Sequence, residues 1–376
     1  MKKKFFQKIF KSFGYSILSI IFGKIEKIIE TNDDNRIEVK VIKKEENLNY
    51  NIYKINEGRL YTDRIQDTAA IIDNKIINGP SFQFRNRKDY KIYNANVQDN
   101  IVLKKGTPRR LRNLDGMVLS LLTGGAGNNN YWHWLYDVLP RVGLCSESIN
   151  LNKIDFFLIP SLLKNFQNES LDILNIPHQK RLSSEKFRHI KAKELIMTDH
   201  PVVTTGDATK DIQNIPLWIT KWLKSVFIYN ETKNKKNDKP FIYIDRNESV
   251  LNDPPMRIIS NENEVKKYLK DNNFESVKLG EVSFKEQIDL FNNAECIVGL
   301  HGAGFANLSF CKPNTKVIEL KGINAGPVIE NLAKKNKLNY SSISLEAKQI
   351  YKLDFPNQHG SIEIPINTLK EALEKK

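Results

Sequence analysis

Features that mark several protein classes are scarce or missing in this sequence of 376 residues. Its three cysteines, Cys145, Cys296 and Cys311, lie far apart in largely apolar surroundings. This favours buried free thiols in a reducing compartment over a disulfide framework or a zinc site. No apolar run approaches the roughly 20 residues that a helix needs to cross a bilayer.

Several catalytic signatures are also absent. The sequence contains no Asp-x-Asp, no His/Cys/Asp cluster with metal-ligand spacing, no phosphate loop of the Gly-x-x-x-x-Gly-Lys-Ser/Thr type and no Gly-x-Ser-x-Gly elbow. These absences argue against a dedicated divalent-cation site, a P-loop enzyme and an α/β-hydrolase. We therefore expect neither a metal nor a resident cofactor.

Positive charge is concentrated near the start of the chain. The formal net charge is +14, and residues 1–30 hold seven lysines and two glutamates. The apolar residues of this segment recur at three- and four-residue steps: Phe5, Phe6, Ile9, Phe10, Phe13, Ile17, Ile20 and Ile21. The pattern predicts a basic amphipathic helix on an anionic membrane surface, with a disordered tail or a helix packed on the protein body as alternatives.

The same segment bears on location and on partners. Two serines interrupt its apolar run at 15–22 and no small-residue cleavage site follows, which disfavours a signal peptide. We expect a cytoplasmic protein attached to the inner face of the cell membrane. Nucleic acid is not expected as a partner, because the densest charge lies in one tail rather than in a groove interleaved with aromatics.

The chain length suits two domains, and the pattern predicts an α/β fold. Residues 48–102 indicate a β-rich start, after which strands near 118–122, 156–159 and 192–197 alternate with helices at 131–146 and 169–174. Beyond 240, strands and helices alternate as in a doubly wound parallel sheet, with a helix predicted at 262–271 and a strand at 296–300. The predicted division is a membrane-surface segment (1–30), an acceptor-side domain (31–229), a linker without apolar residues (230–239), a nucleotide-sugar domain (240–345) and a tail with a helix (346–376).

One motif is a turn between a buried strand and a helical segment. Its residues are His301, Gly302, Ala303 and Gly304. Small residues at such a turn let the backbone approach a phosphate, and the helix start offers unpaired N–H groups. Glu319, near the end of the next strand, could accept ribose hydroxyls. A tight turn without a ligand is the alternative, since Asn307 replaces the third glycine of the dinucleotide fingerprint.

A second motif lies on the predicted helix at 131–146. His133, Asp137 and Arg141 follow one another at four-residue steps and therefore share one face. An aspartate one turn away can orient an imidazole that removes a hydroxyl proton. A half-buried ion-pair network is the alternative, and Pro140 is expected to kink or end the helix.

Two arginines form a third motif. Arg246 ends a strand and Arg257 precedes the next helix, so both are expected at the carboxyl end of the sheet, where they could neutralise a diphosphate. Ordinary solvated arginines are the alternative.

Taken together, the segments 130–141, 301–307 and 317–320 and the arginine pair resemble glycosyltransferase family 61 over roughly residues 110–345. The resemblance implies a GT-B arrangement of two Rossmann-like domains facing a central cleft, and an inverting reaction without an obligatory metal. It also implies a nucleotide-sugar donor, often UDP-linked, and a glycan or lipid-linked glycan acceptor in bacterial polysaccharide synthesis. Asp245 stands where the resemblance leads us to expect a small or neutral residue.

The resemblance distributes roles over the motifs. His133 and Asp137 would be catalytic. The donor-binding residues would be Arg246, Arg257, His301, Gly302, Ala303, Gly304, Asn307 and Glu319. Asn130, Trp132 and Arg141 would lie near the acceptor. Two other functions remain as alternatives, a nicotinamide-dependent oxidoreductase and a non-catalytic, membrane-associated assembly protein.

Overall fold

The computed structural model describes residues 2–62, 68–84, 87–88, 91–92, 95–103, 107–122, 129–228, 241–246, 257–350 and 359–375. Contacts divide the chain into two compact units, Met1–Ile212 and Gln213–Lys376. The predicted linker at 230–239 lies outside the described residues. Residues 213–228, predicted to end the first domain, belong by contacts to the second unit.

The first unit contains one large sheet and several short strand pairs. Its strands are β1 (Lys27–Ile29), β2 (Ile37–Glu45), β3 (Leu48–Asn56), β4 (Arg59–Thr62), β5 (Thr68–Ile72), β6 (Lys75–Ile77), β7 (Gln83–Phe84), β8 (Arg87–Lys88), β9 (Lys91–Ile92), β10 (Ala95–Asn96), β11 (Arg112–Ser120), β12 (Phe156–Ile159), β13 (Arg181–Ser183) and β14 (His189–Thr198). In the large sheet the order is β1-β6-β5-β4-β14-β11-β12-β13, and β3 lies between β14 and β2.

This sheet is mixed rather than wholly parallel. Strand β14 runs parallel to β11, and β11, β12 and β13 continue the parallel part. On its other side β14 pairs antiparallel with β3 and β4. The prediction of a β-rich start is therefore confirmed, whereas a doubly wound pattern describes only the β11–β14 part of this unit.

The described helices of the first unit lie before β1, after β14 and between β11 and β13. They are α1 (Lys2–Phe22), α2 (Tyr131–His133), α3 (Pro140–Cys145), α4 (Asn165–Ile173) and α5 (Ala208–Asp211), with a π-helix (Trp134–Val138) between α2 and α3. Short 3-10 helices cover Thr31–Asp33, Val97–Asp99, Ile101–Leu103, Leu151–Lys153 and His178–Lys180. Within the described residues, no helix is long and apolar enough to span a membrane.

The second unit follows the predicted alternation of strands and helices. Its strands are β15 (Phe241–Asp245), β16 (Arg257–Ile259), β17 (Glu275–Lys278), β18 (Cys296–Leu300), β19 (Lys316–Gly322), β20 (Asn339–Leu345) and β21 (Gly360–Ile362). Its helices are α6 (Leu217–Phe227), α7 (Glu262–Asp271), α8 (Phe284–Asn293), α9 (Val328–Lys335) and α10 (Ile366–Glu374), with a 3-10 helix at Ala303–Phe310.

The main sheet of this unit is parallel and has the order β17-β15-β18-β19-β20. Tyr243 and Val298 pack with Val265 of α7 on one face, and the alternating residue Ile242 is just as buried, so both faces are covered. In chain order the strands run 2-1-3-4-5, the order of a flavodoxin-like doubly wound sheet. The order reverses between β15 and β18, and such a switch point is where these sheets bind ligands.

All three cysteines are free and buried, as the sequence predicts. Burial raises the pKa of Cys145 and of Cys296 to about 12 in each case. The thiols are therefore neutral packing groups.

Candidate functional site

The His-Gly-Ala-Gly turn lies at the switch point of the second unit. Arg246 follows β15 directly and donates from Nη1 to the carbonyl oxygen of His301, 2.5 Å away. A Cβ on Gly302 would lie 2.7 Å from the same Nη1, and one on Gly304 would lie 2.8 Å from Leu279 Cδ1. Both glycines therefore permit close packing. At Gly302 the guanidinium of Arg246 packs against the turn.

Behind the turn is a buried polar network centred on Glu319 of β19, whose side chain is 0% exposed. One carboxylate oxygen pairs with His301 Nδ1, and the other accepts the hydroxyl of Tyr340 on β20. Lys321 Nζ lies 3.7 Å from that second oxygen. The sequence predicts a ribose contact for Glu319, whereas these contacts direct both oxygens to protein groups and make Glu319 the support of the His301 ring.

His301 is almost buried, with a side chain 9% exposed. Burial lowers its pKa, and the hydrogen bond and charge of Glu319 offset this only in part. A neutral ring that donates from Nδ1 to a carboxylate keeps its lone pair on Nε2. His301 can therefore accept a hydrogen bond or a proton from a ligand.

Arg257 shares the electrostatic environment of this turn. It begins β16, a short strand paired with β21, rather than the entrance of a helix. Burial and the charge of Arg246 together lower its pKa to about 10, against the opposing charge of Glu319. The negative charge of Asp245 is balanced by an ion pair, since Lys266 Nζ lies 2.9 Å from its carboxylate. The net charge beside the turn is thus supplied by arginine.

Asn307 lies inside the second unit and is 0% exposed. Its Nδ2 donates to Gln287 Oε1 at 3.1 Å and to the carbonyl oxygen of Gly304 at 3.3 Å. The residue predicted to contact the donor therefore fixes the 3-10 helix against α8. The position of the third glycine in the dinucleotide fingerprint is thus occupied by the packing side chain of Asn307.

In the first unit the polar motif lies on an interrupted helix. The side chain of Asn130 caps its start by accepting from Trp132 N at 2.9 Å. After α2 the helix widens, and Leu139 N donates to Trp134 O, five residues back, at 3.0 Å. Pro140 has no N–H, and its ring would clash with the carbonyl four residues earlier in an α-helix. Pro140 is thus accommodated by a π-helix, and the helix continues as α3 rather than ending there.

The widened turn brings His133 and Asp137 together. Nδ1 of His133 lies 2.7 Å from Asp137 Oδ2, and the His133 side chain is 34% exposed. A second imidazole lies near this carboxylate, with His200 Nε2 3.9 Å from the same Oδ2. His200 Nδ1 accepts from the amides of Val202 and Val203, so its proton resides on Nε2, facing Asp137.

Arg141 does not bond to the Asp137 carboxylate as the shared face suggests. Its Nε donates to the backbone carbonyl of Asp137 at 3.0 Å, and Nη1 donates to the carbonyl of Thr198 at 3.1 Å. Arg141 therefore fastens the widened turn to the end of β14. Trp132 stacks at a tilt on Tyr136, with ring centroids 4.7 Å apart.

These contacts shift the pKa values of His133 and Asp137 in opposite directions. Burial lowers the pKa of His133, but the charge and hydrogen bond of Asp137 outweigh it, so the net shift is upward. Burial opposes ionisation of Asp137, yet the charge and hydrogen bond of His133 outweigh this, and the pKa of Asp137 is lowered. Burial lowers the pKa of His200 to about 3, so this second imidazole stays neutral.

Three residues of the candidate site were not predicted from the sequence. His200 follows β14 in the polar run Thr-Asp-His, and polar residues just after a buried strand were a usable signal. Lys321 lies two residues after Glu319 and hence on the same face of β19, which alternation could have shown. Tyr340 comes from β20, and only the pairing of strands brings it to Glu319.

The comparisons with known proteins bear on both motifs. The family model described as Glycosyltransferase 61 matches residues 131–318, half of the chain. The chain belongs to glycosyltransferase family 61. A search of curated proteins finds no match.

Membership in this family makes the chain a glycosyltransferase. The matched range begins at the first residue of α2 and ends within β19, so it includes the His133–Asp137 pair, both arginines and the His301 turn. Among the described residues, no group of three or more His, Cys, Asp or Glu is placed to hold a metal ion.

Proposed function

We propose that this glycosyltransferase moves a sugar, with inversion, from a nucleoside diphosphate donor, UDP-linked, to a hydroxyl of a glycan or lipid-linked glycan. We assign the reaction to the synthesis of a bacterial surface polysaccharide in the cytoplasm, at the inner face of the membrane. The buried free thiols support a reducing compartment. Membership in glycosyltransferase family 61 supports the transfer of a sugar.

The observation that carries the donor assignment is Arg246 at the switch point of the second unit. Its guanidinium lies against Gly302 and bonds to the carbonyl of His301, and Arg257 lies within its electrostatic reach. A guanidinium against the start of a 3-10 helix, with a second arginine within electrostatic reach, suits a diphosphate. In our proposal they carry the charge of the leaving group without an obligatory divalent metal.

The acceptor proton is assigned to His133. The hydroxyl oxygen attacks the anomeric carbon and its proton passes to His133 Nε2. The bond from the anomeric carbon to the phosphate oxygen breaks, and the nucleoside diphosphate leaves from the opposite face. Asp137 holds the ring through Nδ1 and stabilises the imidazolium that forms. Arg141 holds the turn of that aspartate through the Asp137 carbonyl, and His200 lies beside the carboxylate.

A donor screen tests this function directly. UDP-, GDP-, CMP- and dTDP-sugars are each incubated with the full chain, and slow donor hydrolysis is followed with and without EDTA. We expect hydrolysis of a UDP-sugar that EDTA leaves unchanged. Loss of hydrolysis with EDTA would contradict the metal-independent reaction, and activity with another nucleotide alone would contradict the UDP assignment.

Binding is tested separately by thermal stabilisation with UDP. At about 100 times its Kd, UDP should stabilise the folded protein by about 2.7 kcal/mol. Arg246→Ala should abolish this shift, while Arg110→Ala, which removes an exposed arginine of the first unit, should keep it. Stabilisation by NADH in place of UDP would favour an oxidoreductase.

A further inference from the structure

Helix α1 has two apolar faces, and one of them is packed on the first unit. Leu18 is 5% exposed and belongs to a core cluster with Ile25 and Tyr61. Tyr15 donates its hydroxyl to the carbonyl of Leu103 at 3.3 Å, and the Phe22 ring lies 4.6 Å from that of His189. The second half of the helix is therefore a fixed part of the protein body.

The other face is apolar and exposed. Six residues on it are between 51% and 83% exposed: Phe6, Ile9, Phe10, Phe13, Ile20 and Ile21. They are six of the eleven large apolar side chains that are exposed in the described part of the chain. Their spacing of three, four and seven residues places them along one stripe of the helix. We call this stripe the α1 ridge.

We infer that the α1 ridge docks on the surface of an anionic lipid bilayer. The helix carries five lysines and neither aspartate nor glutamate, so its charge complements acidic headgroups. Aromatic and branched side chains suit the boundary between headgroups and acyl chains. Because α1 is already folded and packed, docking requires no ordering of a disordered tail.

Charge also argues against the main competing occupant, a second copy of this chain. Two copies packed through their α1 ridges would bring together two helices that carry ten lysines between them and no acidic residue. The net charge of +14 on each copy adds to that repulsion. A bilayer containing acidic lipid meets the same helix with attraction.

The experiment measures binding of the full chain to sedimented vesicles, using phosphatidylcholine alone and mixed with phosphatidylglycerol. We expect binding to the mixed vesicles that weakens as salt rises. Phe10→Ser combined with Phe13→Ser, which leaves the charge unchanged, should weaken it roughly 100-fold. Val41→Ser removes an apolar side chain that is 60% exposed on β2 and should bind like the wild type.

The possible outcomes are distinct. Thermal melting confirms that each variant is folded, and light scattering reports the oligomeric state. Failure of the wild type to bind mixed vesicles, or equal binding by the double variant, would overturn the inference. Dimers that the double variant disrupts, without vesicle binding, would assign the α1 ridge to a second copy and would also overturn it.

Discussion

Each unit of this glycosyltransferase holds a histidine whose Nδ1 faces a buried carboxylate, and the two pairs differ in setting. His133 and Asp137 are neighbours on one helix, and the His133 ring is 34% exposed. His301 directly follows β18, Glu319 lies on the neighbouring β19, and the His301 ring is 9% exposed. The pKa of His133 is raised, whereas that of His301 is lowered.

The difference shows that a histidine paired with a carboxylate can serve different functions in different surroundings. Exposure and a charged partner give His133 a ring that a substrate hydroxyl can reach and that is stabilised when protonated. The His301 ring is buried, and the Tyr340 hydroxyl and the Lys321 ammonium lie around its partner Glu319. These surroundings keep the ring neutral and rigidly held. We therefore assign proton transfer to the first pair and donor contact to the second.

Replacing His133 is the strongest test of this division of tasks. His133→Ala should lower kcat by about 10²-fold to 10⁴-fold, because the general base is lost, while the Kd for UDP measured by calorimetry stays unchanged. His178→Ala removes a side chain that is 73% exposed and should keep full activity. A His133→Ala enzyme with normal kcat would transfer the role of base to another group.

Replacing Glu319 tests whether the second pair is mainly a rigid support. Glu319→Gln should lower the free energy of unfolding in urea by about 3 kcal/mol, because the buried Lys321 loses its countercharge. Glu330→Gln, which removes an exposed pair with Lys334, should cost less than about 0.5 kcal/mol. Equal effects of the two changes would show that the Glu319 network is not a structural support.

The pH dependence of turnover separates the two histidines by a smaller effect. A base must be neutral, so a raised pKa at His133 predicts that kcat falls, about tenfold per pH unit, as pH drops through a value above 6.5. If His301 were the base, its lowered pKa would place this fall below pH 6.5.

The stability contributions have opposite signs and provide the control. The His133 pair stabilises the fold fully below pH 6.5, and this contribution is lost as pH rises through the raised pKa of His133. The buried neutral His301 destabilises the fold as pH falls below 6.5, since the unfolded chain binds the proton first. Urea titrations of His133→Ala and His301→Ala at several pH values should show these opposite trends.

The second unit was the easier one to predict. Its buried strands are short apolar runs between amphipathic helices, and the predicted strand at 296–300 and helix at 262–271 have the observed bounds. The first unit's sheet was harder, because β14 pairs with β11 on one side and with the distant β3 on the other. Nothing local in the sequence specifies such pairing.

The candidate site divides in the same way. The contact between His133 and Asp137 followed from helical spacing, and the place of Arg246 beside the turn followed from the rule for parallel sheets. The burial of Glu319 and Asn307 could not be predicted in this way, because Tyr340 and Gln287 reach them from other elements. Side chains supplied by a neighbouring strand or helix are invisible to periodicity.

The π-helix before Pro140 has a consequence for how this site tolerates change. A π-turn holds one residue more than an α-turn, so the geometry at Asp137 depends on the length of this stretch as well as on its composition. Deleting one residue among 134–136 would shorten the spacing between His133 and Asp137 from four residues to three, and Pro140 would still exclude an unbroken α-helix. A change of length here therefore alters the geometry of the pair even where both side chains are kept.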